Sequence, residues 1–100
     1  MTIRLPGPWQ LEIWFCPSES VIPCHYHPNI ESQIMFVGGN MIWQRDGWAK
    51  AFTWRDIGRV FSVPACVRHG AFTIGRFGIF ANLERWTAAK TSAAIDLELC

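Results

Sequence analysis

Three histidines occur in this chain of 100 residues. Two stand one residue apart in CHYHPNIE, as His25 and His27, with Glu31 four positions later, and His69 closes VPACVRH. Side chains of an extended strand alternate between faces, so His25 and His27 point the same way, roughly 6 to 7 Å apart along the backbone. Two imidazoles so placed can hold one metal ion. Pro28 and Asn29 suit a turn, after which Glu31 opens a further strand and brings a carboxylate back toward them. His69 follows the turn-like PACV and opens another strand. Three neutral imidazoles with one carboxylate suit iron, manganese, nickel, cobalt or zinc, and leave one or two positions open on an octahedral ion. On spacing alone a second reading stands beside this one, that of structural or surface histidines, because HxH arises readily by chance.

The elements that would have to position these residues are strands. Runs rich in β-branched and aromatic residues recur at 11–15, 33–37, 40–44, 49–54, 59–63, 70–75 and 77–83, separated by glycine, proline, asparagine or aspartate. Gly38-Gly39-Asn40 and Arg45-Asp46-Gly47 are turn signals that predict a meander of hairpins over 33–54. A 3.6-residue apolar period is missing before residue 84; only 84–95 suits a short helix, with Thr87 as its cap, or equally a loose tail over 84–100. The length fits one domain, 1–100. An all-β chain of this size manages its sheet edges by closing into a barrel or jelly roll, and ligands enter the mouth of such a barrel.

Composition narrows the function classes. Half of the residues are hydrophobic, six are tryptophan, and the net charge is only +1. That leaves no field for gathering phosphates, so nucleic acid is not an expected partner. No apolar run approaches the ~20 residues needed to span a bilayer, and MTIRLPGPWQ has no apolar secretion core, so no membrane partner and a cytoplasmic address are expected. Cys16, Cys24, Cys66 and Cys100 occur singly, at spacings of neither a zinc finger nor a redox pair, and are read as thiols of a reducing compartment. The carboxylates Glu12, Glu19, Asp46, Asp56 and Glu84 read as solvated residues of strand ends and turns.

Both histidine blocks resemble the paired motifs of the cupin superfamily. His25, His27, Glu31 and Gly38 fit its first motif, and Gly58, Pro64 and His69 its second; together they span residues 23–73. Four positions depart from the pattern. Glu19 stands where the first motif has a glycine, Arg59 where the second has an aspartate, Cys66 where it has a glycine, and Thr73 where it has an asparagine. The resemblance implies a double-stranded β-helix, one divalent transition metal held by His25, His27, Glu31 and His69, and a homodimer in which residues 1–15 take part. With those ligands facing inward, alternation places Gln33, Met35 and Val37 behind Glu31, and Ala71 and Thr73 behind His69, as a mostly apolar substrate pocket. The resemblance further implies a metal-dependent enzyme acting on a small organic molecule, on the oxidoreductase or dioxygenase side, with decarboxylases and isomerases also in the superfamily. A non-catalytic binding or sensing module, or a β-barrel that only keeps the family's ligands, is the alternative.

Overall fold

Among the described residues the apolar runs fold into seven strands and one turn of 3-10 helix. The structure, a computed structural model, describes residues 1–27, 30–45 and 47–86. The strands are β1 (Thr2–Arg4), β2 (Trp9–Pro17), β3 (Val21–His25), β4 (Ile30–Arg45), β5 (Trp48–Phe52), β6 (Val60–Val63) and β7 (His69–Trp86), with the 3-10 turn at Trp54–Asp56. All pairings are antiparallel. The order is β1-β2-β7-β4-β5, with β3 also on β7 and β6 also on β4.

Two long strands organise the sheet. Sequence signals predict a turn at Gly38-Gly39-Asn40, but β4 runs straight through it. Its register on β7 shifts twice there, between Phe36 and Gly38 and between Gly39 and Met41. Gly39 has φ +82°, which side-chain-bearing residues rarely adopt, and it lies against the Phe77 backbone. Thus β4 bends instead of reversing, and it pairs with the C-terminal half of β7 before the bend and the N-terminal half after it. The runs at 70–75 and 77–83 likewise join into one strand. The predicted hairpin after β4 does form, with Gly47 at φ +84° and Arg45 opposite Trp48; Asp46 lies outside the described residues. Residues 84–86 are strand, not helix or tail; the rest of that predicted segment, including Thr87, lies outside the described residues.

The core fills the fold of this bent sheet. Ile34, Phe36, Met41, Trp43, Phe52 and Val63 are the largest fully buried side chains, each contributing roughly 1.5–3 kcal/mol by burial. Trp43 meets Phe80 and Phe61 edge-on at 4.7 and 5.2 Å between ring centroids. Outside, Ile13, Phe15, Phe77, Met35 and Val37 stay exposed on neighbouring strands. Among the described residues no helix is long and apolar enough to cross a membrane. Cys16 and Cys66 are free thiols, as expected, whereas Cys24 is disulfide-bonded.

The two non-glycine residues in left-handed conformation are Glu19 (φ 63°) and Cys66 (φ 67°) among the described residues. These are the two positions at which the resembled cupin pattern has glycine and this chain does not. The backbone has kept the turn that glycine permits, at a steric cost of roughly 1–2 kcal/mol per residue. Glycine costs the unfolded chain some entropy in return. Glu19→Gly and Cys66→Gly should therefore each stabilise the protein by up to about 1 kcal/mol in chemical denaturation; a loss of stability in both would contradict the strain.

Candidate metal centre

Local backbone features aim the three histidines at one point. Pro23 cannot donate to the ladder, and the register of β3 on β7 shifts between Ile22 and His25. After that bulge His25 pairs directly with His69, the first residue of β7. His27 leaves the strand, and its carbonyl accepts a hydrogen bond from the backbone N–H of Cys66 at 3.0 Å. The left-handed turn at Cys66 thus ties the exit of the first motif to the approach of the second.

The rings converge as a consequence. Centroid separations are 4.6 Å for His25–His27, 4.3 Å for His25–His69 and 5.3 Å for His27–His69. One ligand nitrogen from each lies within 4.8 Å of the others. His25 Nδ1 sits 2.7 Å from the Pro23 carbonyl and His69 Nδ1 3.0 Å from that of Val67. A carbonyl only accepts, so both Nδ1 atoms carry the proton and both Nε2 lone pairs are available to a metal. Backbone orientation of the ligand ring is the usual outer support of a histidine metal site. Burial, first, then the neighbouring His25 and His27, hold the His69 imidazole down at about pKa 4 against the pull of Val67. It is therefore neutral at physiological pH, the form a metal requires. The donor set fits a divalent transition ion.

The fourth expected ligand is elsewhere. Along β4 the residues Ile30, Ser32, Ile34 and Phe36 are buried, so Glu31, Gln33, Met35 and Val37 point outward. Glu31 pairs in register with Arg85, and its Oε2 receives both Nε–H and Nη2–H of that guanidinium at 3.3 and 3.2 Å. Glu31, Gln33, Met35 and Val37 do share one face, as alternation requires, but it is the outer face. The structure thus brings together His25, His27 and His69, and leaves out Glu31. On β7, Ala71 and Thr73 do face inward with His69 and are buried, yet they sit in the core and do not line the cavity. Arg68 is exposed.

A cavity of about 570 Å³ opens beside the histidines, within the usual range for a small organic ligand. All three histidines line it. Ile22, Ile30, Ile34 and Trp43 make it apolar on one side, while Trp14, Phe80 and Trp86 line it from β2 and β7. Also in the wall are Gln10, Glu12, Asn82 and Glu84, of which the two carboxyls were expected in solvent. Glu12 lies two residues from Trp14 on β2 and Glu84 two residues from Trp86 on β7, and sharing a strand face with a tryptophan is the local hint to them.

No protein-family model and no curated protein matches this sequence. Solved structures do match its fold. A double-stranded β-helix protein from Klebsiella pneumoniae superposes with a TM-score of 0.76 at 15% identity, covering 96% of this chain and 81% of that one. The cupin domain of Schizosaccharomyces pombe Cnp3 gives 0.73 at 10% identity, over 84% of this chain and 60% of that one. The DMSP lyase DddQ of Ruegeria pomeroyi gives 0.73 at 19% identity, over 90% of this chain but only 43% of the enzyme. The chain thus spans less than two thirds of the length of two of these three. Its bent antiparallel sheet, closed around a histidine-lined cavity, has the double-stranded β-helix fold of the cupin structures it matches.

Proposed function

We propose that the protein binds one divalent transition metal through His25, His27 and His69 and works on a small organic molecule held in the adjoining cavity. The observation that carries this reading is the convergence of three imidazoles within 4.8 Å on a cavity wall, two of them oriented by backbone carbonyls. Such an ion, when bound, supplies a Lewis acid with open coordination positions. The chain's own residues do the rest. Val67 and Pro23 fix the ring tautomers, and burial keeps His69 unprotonated. Apolar residues around the histidines thin out water and strengthen polar interactions inside. A metal-dependent enzyme, of oxidoreductase or lyase type, is the function this arrangement supports best; the match to a DMSP lyase is in keeping with it. A binding or sensing module without turnover is the second reading, since the same fold carries many chemistries.

Metal analysis of protein purified without chelators or a metal-binding tag tests the proposal. About one equivalent per chain is expected, falling below about a tenth in His25→Ala and His69→Ala, with Glu31→Gln unchanged. Under a tenth of an equivalent in the parent, together with no effect of His27→Ala on stability, would sink it. A loss of metal in Glu31→Gln would restore the carboxylate to the ligand set.

A further inference from the structure

The cavity carries chemistry at a second place. Strand β2 and the C-terminal half of β7 meet there in register, with Gln10 opposite Glu84, Glu12 opposite Asn82 and Trp14 opposite Phe80, all six lining the cavity. Gln10 and Glu84 are only 7% and 4% exposed. Gln10 donates from Nε2 to Glu84 Oε1 at 3.1 Å, and Asn82 donates from Nδ2 to Glu12 Oε1 at a long 3.5 Å. Both amides thereby spend N–H groups on the carboxyls. Their oxygens, Gln10 Oε1 and Asn82 Oδ1, are buried and accept no hydrogen bond. Each such buried, unused acceptor is costly. Two amide oxygens and two carboxyl groups on one wall make a surplus of acceptors, which a group bringing several N–H donors and a positive charge would relieve. Trp14, Phe80 and Trp86 line the cavity beside these groups, and aromatic rings favour a cation.

We propose that the wall formed by Gln10, Glu12, Asn82 and Glu84 binds the ammonium group of a small organic amine, the rest of which lies in the apolar part of the cavity. The proposal deepens, and rests on, the reading of this cavity as the ligand site. An ammonium group offers three donors. The charge state of the wall supports the assignment. Burial, and after it the hydrogen bond and like charge of Glu12, push the Glu84 carboxyl up to about pKa 8; Gln10 and the Arg4 guanidinium of β1 pull it back down. Arg4 lies over the Trp86 ring at 5.7 Å, and on β4 the residue opposite Glu84 is the uncharged Ser32. Without a ligand the Glu84 carboxyl therefore holds its proton at neutral pH. A bound ammonium supplies the missing countercharge, so Glu84 gives that proton to solvent while the ammonium keeps its own. Dianionic ligands meet the opposite electrostatics.

Calorimetric titration tests this with butylamine, using 1-butanol and butyrate as neutral and anionic counterparts of similar length. It is run at pH 7 in two buffers of different ionisation enthalpy, on protein as purified and with metal content measured on the same sample. The amine should bind and release close to one proton, and the alcohol and butyrate should bind at least about tenfold more weakly. Glu84→Gln should abolish the proton release and, like Glu12→Gln, weaken the amine at least about tenfold. Equal binding of the alcohol, tighter binding of butyrate, or proton release that survives in Glu84→Gln overturns the proposal. If neither variant folds, the ligand series and proton count on the parent still decide it. Amine binding to protein without metal would refute the metal reading alone; full metal content without amine binding would refute this one alone.

Discussion

Gly39→Ala should cost at least about 3 kcal/mol of stability, whereas Gly38→Ala, one residue earlier, should stay within about 0.5 kcal/mol of the parent. A methyl group at Gly39 would overlap the Phe77 carbonyl and approach its carbon to 2.7 Å and the Gly78 Cα to 2.8 Å. All of these are backbone atoms, which cannot step aside as a flexible side chain can. The left-handed φ of +82° adds its own penalty. At Gly38 the same methyl would make an ordinary 3.8 Å contact with the Phe77 ring. Against a total stability of typically 5–15 kcal/mol, the first change removes a large share and the second almost none. Denaturant unfolding of the two variants side by side is the measurement. Matching midpoints would mean that the bend of β4 is not built as described.

The second large effect is a pH dependence centred on Glu84. Its carboxyl is pushed up to about 8 in the folded protein from an ordinary 4.5. Between those values the native state holds a proton that the unfolded chain has released. The corresponding stability is fully present below about pH 4.5 and is lost as pH rises through about 8. One pKa unit is worth about 1.36 kcal/mol, so the span amounts to a few kcal/mol. Glu84→Gln keeps a neutral, similarly shaped side chain and should flatten this slope. The variant should match the parent near pH 5 and exceed it by about 2 kcal/mol or more at pH 9. Unfolding free energies across that range, taken as the difference between the two proteins, isolate Glu84 from other titrating groups. A difference that does not change with pH would remove the buried proton.

How much of this was legible in the sequence depends on what alternation can convey. It correctly puts His25 with His27, and Glu31 with Gln33, Met35 and Val37, on common faces. It does not say which face is inner. That was settled by an arginine 54 positions away, Arg85, which captures Glu31 on the outside, and by Ile30, Ser32 and Ile34, which fill the inside. Glycine pairs were ambiguous in the same way. Gly38-Gly39 carries a hairpin signal, yet the deciding interaction is the close approach of Phe77, which no local pattern contains. Glu12 and Glu84 were hidden by the habit of carboxylates to face water; only pairing with Asn82 and Gln10 across the sheet shows them inside. The missing motif glycines left their turns open in the sequence, and the structure shows that Glu19 and Cys66 both take up the left-handed backbone that glycine favours.

Strand β7 is the common partner of β2, β3 and β4, and it carries His69 at its first residue and Glu84 near its last. During synthesis, His25 and His27 leave the ribosome long before the strand that completes their site. Until β7 docks, the two early imidazoles have no third partner and the β2 wall has no facing carboxyl. Ligand capture is thus coupled to an intrinsically slow folding event, the closing of long-range strand pairs. A metal that binds only the finished triad would act after that event, as a latch on the folded barrel.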